Sequence, residues 1–309
     1  MKVKELFELW LNKYIKPSVK LRTYVNYEYK ILNFINPFIG ELKLKSSTDN
    51  LILDYVNELL SFKSNKTNKQ LSINTINGII QILKNGFLLA INLNLINKNP
   101  TLNIKLPKIS QKEVTALTRE EQKKIENYCL KSHRRNYLGI ILCLYTGIRI
   151  GELLALSWDD IDFNKKLLYI RKTVYSIKKD NQYKMVIDKP KTIKSNRVIP
   201  IPDKLLELLI SSKKYSKSKY VITTNKNKMV ETRSYQRSFK SILKKCNIKQ
   251  YSFHSLRHTF ATRALEIGVD IKTLSELLGH TDVNITLNRY VHSLFQYKIQ
   301  EMDRISELL

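Results

Sequence analysis

Along the first hundred residues, apolar side chains recur every three or four positions: Leu6, Leu9, Trp10 and Tyr14, then Tyr24, Tyr27, Ile31, Phe34 and Ile35. That spacing lines one face of an α-helix. Further helices are predicted near 50–60 and 72–93, separated by a polar loop over 61–69 with the composition of a flexible connection. Pro100 and Pro107 resist helix, as do the residues before them, and keep the basic stretch 99–112 extended. A helical domain over 1–100, a linker over 101–115 and a second domain over 116–309 follow.

The second domain opens on Thr118, which can cap a helix, with Glu121 three residues on to return the hydrogen bond in a capping box. Helices run to about Cys129 and from about 134 to Leu144. Beyond Trp158 the pattern changes to alternation and β-branched residues over 167–175, 184–187 and 197–201, which reads as a small antiparallel sheet. Helical periodicity then returns, with Gly268 and Gly279 as helix ends. The expected class is mainly α with a small antiparallel β-sheet: a helical N-terminal domain plus an α+β second domain.

Composition narrows the partners. The 309 residues hold 54 Lys and Arg against 27 Asp and Glu, a net charge of +27. A polyanion is therefore the default ligand, and nucleic acid comes first. With 43% hydrophobic residues and only 8 Gly and 7 Pro, the chain can bury true cores and is no disordered basic tail. The excess is local: residues 165–249 hold 24 basic and 5 acidic side chains, 1–108 hold 16 and 7, and 251–309 hold 6 and 7. Two basic surfaces are thus expected to close on DNA. Cys129, Cys143 and Cys246 lack metal-site spacing and read as core residues of a reducing cytoplasm. The uncharged runs over 70–83 and 136–148 are too short to span a bilayer, and the start lacks an apolar signal core, so the expectation is a cytoplasmic protein without a membrane partner.

Four of the five histidines, His254, His258, His280 and His292, fall in the last 56 residues; His133 is the fifth. The segment HSLRHTFAT from His254 sets His254 and Arg257 on one helix face, with Leu256, Phe260 and Ala261 as apolar contacts. His258 reads as filling space one turn on, and His133 and His292 as structural or surface residues. LLGH over 277–280 puts His280 just past a glycine helix end, and Tyr290 follows ten residues later. Upstream, TGIRIGELLALSW over 146–158 starts an apolar helix with Arg149, whose partner must be Glu152 or an anionic ligand. The polar turn over 189–197 holds Lys191 out on a loop.

The ordered set Arg149, Lys191, His254-x-x-Arg257, Leu-Gly-His280 and Tyr290 resembles the tyrosine recombinase, or phage integrase, family. The likeness spans 118–292, and the helical region before it, with IGELKL over 39–44 and NKNP over 97–100, resembles that family's SAM-like core-binding domain. The resemblance implies a site-specific recombinase acting on double-stranded DNA through a 3′-phosphotyrosine intermediate and a Holliday junction, with integration and excision of a mobile element as the leading task. Xer-type chromosome dimer resolution or DNA inversion, a type IB topoisomerase and a non-catalytic DNA-binding relative are the alternatives.

By the same resemblance Tyr290 is the nucleophile and His254 the candidate base. Arg149 and Arg257 hold the non-bridging oxygens, for which planar bidentate guanidiniums suit better than ammonium groups. His280 adds a hydrogen bond, and Lys191 protonates the leaving 5′-oxygen, with Lys189 and Lys194 close by. No metal, ATP or other cofactor is expected. The family's assembly is a homotetramer on DNA, to which a weakly amphipathic helix over 294–309 would dock in trans or close its own core in cis, and an excisionase or other directionality factor is an expected partner. The chain starts almost directly in the core-binding region, so a separate arm-site domain is expected to be missing.

Overall fold

The computed structural model describes residues 1–63, 68–104, 115–132, 135–179, 182–188, 196–287 and 290, with single positions at 302, 303 and 306. Internal contacts divide the chain into two compact units, Met1–Gln111 with Ile177–Asn181, and Lys112–Ser176 with Gln182–Leu309.

In the first unit, α1 (Val3–Leu9) runs on into a π-helical stretch, Trp10–Ile15, and α2 (Leu21–Lys30) into another, Ile31–Ile35. Then come α3 (Asn36–Ile39), α4 (Asp49–Ser61) and α5 (Ile73–Asn92). The last two start where the sequence supplies a cap: Thr48 accepts from the Leu51 amide and Ser72 from the Thr75 amide. Their apolar faces meet in a core of Leu6, Phe7, Ile35, Ile52, Leu59, Ile76, Ile79, Leu83 and Phe87, each fully buried. Each such side chain contributes about 1.5–3 kcal/mol by leaving water.

The second unit begins with α6 (Arg119–Lys131), closed by the capping box that Thr118 and Glu121 predict. A 3₁₀ turn, Arg135–Tyr137, precedes α7 (Leu138–Thr146), so that helix starts later than its apolar pattern suggests. Then follow α8 (Ile150–Ala155), β1 (Ile161–Asp162), β2 (Leu167–Ile170), β3 (Thr173–Lys179), β4 (Gln182–Asp188), β5 (Arg197–Pro200), α9 (Asp203–Lys214), α10 (Thr232–Lys245), α11 (His254–Glu266) and α12 (Ile271–Leu278). Apolar around its whole circumference, α7 has to be central. It packs against α6, α8, α9 and α11.

The expected single sheet is two. β1, β2 and β5 form one antiparallel sheet in that order, with Leu168 opposite both Ile161 and Ile199, while β3 pairs with β4. The predicted strand over 167–175 breaks at 171–172, where the Lys172 ammonium turns to Ser157 Oγ and Asp160 Oδ2, each at 3.1 Å. The predicted loop at 64–67, most of the linker at 105–114 and most of 291–309 lie outside the described residues. Among the described residues no helix is long and apolar enough to cross a membrane.

Candidate active site

The site is assembled from helix ends. An α-helix leaves its last carbonyls without amide partners, and its C-terminus carries partial negative charge. α7 stops at Gly147 (φ +62°) and α12 at Gly279 (φ +64°), both in the left-handed region that glycine adopts without strain. Arginines take the exposed oxygens. Arg257, on α11, donates through Nη1 to Gly147 O (2.7 Å) and through Nη2 to Leu278 O (2.6 Å). Arg197, on β5, donates through Nε to Leu277 O (2.7 Å), and Arg149, the residue before α8, through Nη2 to Gly279 O (3.2 Å).

Glu152, on α8, ties two of these cations together. Its carboxylate accepts from the Arg149 amide (2.9 Å) and Arg149 Nη1 (2.9 Å), and from Arg197 Nη1 (3.1 Å) and Nη2 (2.9 Å). Arg197 and Glu152 are deeply buried at 6% and 4% exposure, whereas the Arg149 side chain is 36% exposed. Burial alone would raise the Glu152 carboxyl, but the charge and hydrogen bonds of Arg197, joined by Arg149, hold it at about 2. Arg257 is pushed the other way, down to about 9, first by burial and then by the like charge of Arg149. Among the described residues, three guanidiniums thus stand around one carboxylate, which bonds two of them and acts on Arg257 only through its charge. The cluster keeps a positive excess in a place that water screens poorly, the electrostatic setting that binds an anion such as a phosphate.

Beside these cations lie the histidines and the tyrosine. Tyr290 is buried at 3% exposure among Ala261, Ala264, Leu265, Leu274 and Leu278 of α11 and α12, and near enough to Arg257 to act on its charge. Its hydroxyl lies 2.8 Å from His258 Nδ1. His254, exposed at the start of α11, sets its ring edge-to-face on His258 with centroids 4.5 Å apart. His280, just past the Gly279 end, places Nδ1 at 2.8 Å from the Thr286 hydroxyl. When that hydroxyl donates, the imidazole proton sits on Nε2 and can be offered to an anion.

Arg149, His254, Arg257, His280 and Tyr290 thus gather around α7, α8, α11 and α12. Lys191, Lys189 and Lys194 lie outside the described residues, as do His133 and His292. Two members of the cluster escaped the sequence reading. Arg197 belongs to no motif, yet it alternates with Ile199 on the buried side of β5, a pattern that continues to Ile201 just beyond the strand, and so betrays an inward-facing charge. His258, read as filling space, instead touches the tyrosine oxygen. Cys129 and Cys143 are buried as expected, with Cys246 half-buried.

The chain matches the phage integrase family over residues 110–297 and the N-terminal SAM-like domain of phage integrases over 2–60. A XerC-like tyrosine recombinase of Caldanaerobacter subterraneus is 32% identical, over 98% of this chain and 82% of that protein. The transposase of transposon Tn916 from Enterococcus faecalis is 28% identical, over 75% of this chain and 62% of its own length. Among solved structures, the Tn1549 transposon integrase with a circular intermediate DNA superposes with a TM-score of 0.81 at 23% identity, covering 99% of each chain. A lambda integrase tetramer on a Holliday junction superposes at 0.68 with 20% identity, covering 91% of this chain and 78% of that one. Both ends of the chain thus carry the same family's domains, and a relative at 32% identity matches nearly all of it: the chain belongs to the phage integrase family of tyrosine recombinases.

Proposed function

We propose that this recombinase integrates and excises a mobile element, using Tyr290 as nucleophile on a DNA phosphate and passing through a 3′-phosphotyrosine link and a Holliday junction. The observation that carries the reading is the excess of guanidinium charge at Arg149, Arg197 and Arg257 around one buried carboxylate, with Arg257 close enough to the Tyr290 phenol for each to act on the other's charge. Negative charge grows on the non-bridging oxygens during attack, and donors already in place stabilise it without reorganisation. Arg149 and Arg257 are the phosphate donors, His280 adds a hydrogen bond, His254 stands at the nucleophile side, and Lys191 protonates the 5′-oxygen. The Tn916 and Tn1549 relatives support the mobile-element task, and the lambda tetramer supports a homotetramer on DNA.

The duplex would be held by exposed cations. Arg233, Arg237, Lys240 and Lys244 stand on the solvent face of α10, whose other face buries Tyr235, Phe239, Ile242 and Leu243. The XerC-like relative favours a second reading, resolution between two sites of one replicon. Recombination between two plasmids compared with deletion within one separates the tasks.

The chemistry is tested on a nicked suicide substrate, where the wild type accumulates a covalent protein–DNA adduct. Tyr290→Phe is expected to bind the site with unchanged affinity and to form none. An adduct in that variant would sink the assignment.

A further inference from the structure

We propose that His258 is a catalytic residue, the group that receives the phenolic proton of Tyr290 when the tyrosine attacks. The inference rests on Tyr290 being the nucleophile, and it changes the sequence expectation, which gave the base role to His254.

An unperturbed phenol has a pKa near 10, so at neutral pH almost none of it is phenolate. Tyr290 is also withdrawn from solvent at 3% exposure, packed among Ala261, Ala264, Leu265, Leu274 and Leu278. Solvent hydroxide cannot serve such a group, and the base has to come from the protein. A base must lie within about 2.6–3.2 Å of the oxygen whose proton it takes. His258 Nδ1 meets that requirement at 2.8 Å. Its ring is half-buried on α11, one turn from His254, whose exposed ring stands edge-to-face against it. His254 thus backs the His258 ring from the solvent side, while Arg257, between them in sequence, aims its guanidinium at the carbonyls of Gly147 and Leu278. One helix presents the anion-binding cation and the proton acceptor together.

The step balances as follows. His258 starts as the Nε2–H tautomer with Nδ1 accepting the phenolic hydrogen bond. As the Tyr290 oxygen forms its bond to phosphorus, its O–H bond breaks and an N–H bond forms at Nδ1, giving an imidazolium. The bond from phosphorus to the 5′-oxygen breaks with its electron pair, and that oxygen takes a proton from the general acid. On rejoining, the 5′-hydroxyl attacks and returns its proton to the group that acted as general acid, while the phenolate leaves and takes its proton from the His258 imidazolium.

Single-turnover adduct formation on the suicide substrate tests this in the full chain. His258→Ala is expected to cleave about a hundredfold or more slowly while binding DNA normally. His258→Asn places an amide where Nδ1 stands, keeping a hydrogen-bonding group but no proton acceptor, and is expected to remain as slow. Added imidazole is expected to restore His258→Ala at least tenfold, with more basic imidazoles restoring more, which repair of a purely structural loss would not do. Wild-type speed in His258→Asn, or no rescue of His258→Ala, would show that the contact only orients the phenol and overturns the proposal. Faster cleavage in His258→Ala would show that His258 holds the tyrosine back, and overturns it too. Tyr290→Phe run alongside separates the two claims: adducts there remove the nucleophile itself, whereas an inert Tyr290→Phe with fully active His258 variants removes only His258.

Discussion

Replacing Glu152 by Gln removes the only negative charge among the described members of the cluster while keeping its shape. The carboxyl is held at about 2 against an ordinary 4.5. At about 1.4 kcal/mol for each tenfold change in proton affinity, that corresponds to about 3 kcal/mol of folding stability at neutral pH. The same figure follows from another direction: taking one partner from a buried ion pair costs about 3–5 kcal/mol, because the surviving charge is left uncompensated. Arg197, at 6% exposure, is that survivor. The measurement is urea unfolding followed by the fluorescence of Trp158, in a Trp10→Phe background so that the signal comes from the second unit. The pH dependence has a definite sign. A carboxyl whose native pKa is depressed stabilises fully above its unfolded value, so the Glu152 contribution is complete above about pH 4.5 and is lost as pH falls towards about 2. That acid-labile component is expected to vanish in Glu152→Gln. The variant should also gain more from sulfate or phosphate than the wild type, since an anion replaces the lost counter-charge. A Glu152→Gln variant within about 0.5 kcal/mol of wild type in low-salt, phosphate-free buffer would refute the reasoning.

Two further outcomes concern the Gly279 helix end and the basic run over 213–228. Gly279→Ala puts a side chain at φ +64° and a Cβ 2.9 Å from Arg197 Cδ, so it is expected to lower stability by about 1–2 kcal/mol and to slow cleavage by shifting Arg197; unchanged thermal unfolding would count against the helix-end account. Changing exposed Lys214, Lys217, Lys226 and Lys228 to Gln together should reduce the slope of log affinity against log salt by about 0.9 for each lysine that meets a phosphate, leaving site choice intact; an unchanged slope would place that run away from DNA.

What could be read from the sequence was what is decided locally. The capping box at Thr118 and Glu121 needs four consecutive residues, and the glycine ends at Gly268 and Gly279 need one each, so both were visible. Arg149 was visible as a charge opening an apolar helix, and its partner Glu152 lies one turn away. The strand break at 171–172 was not visible, because it depends on Lys172 reaching Asp160 and Ser157 across the fold. Arg197 pairs with a carboxylate 45 positions upstream, and the contact of His258 with Tyr290 spans 32. Such pairings are made by packing, and no periodicity records them.

The arginines gathered at the proposed phosphate site also close the ends of α7 and α12, so losing one would cost fold as well as activity. A descendant that had lost recombination would keep Arg149, Arg197 and Arg257 merely to stay folded, whereas selection would release the phenolic oxygen of Tyr290 at once. On the proposed roles, the arginine set would mark inherited architecture across related chains, and the tyrosine hydroxyl would mark a living enzyme.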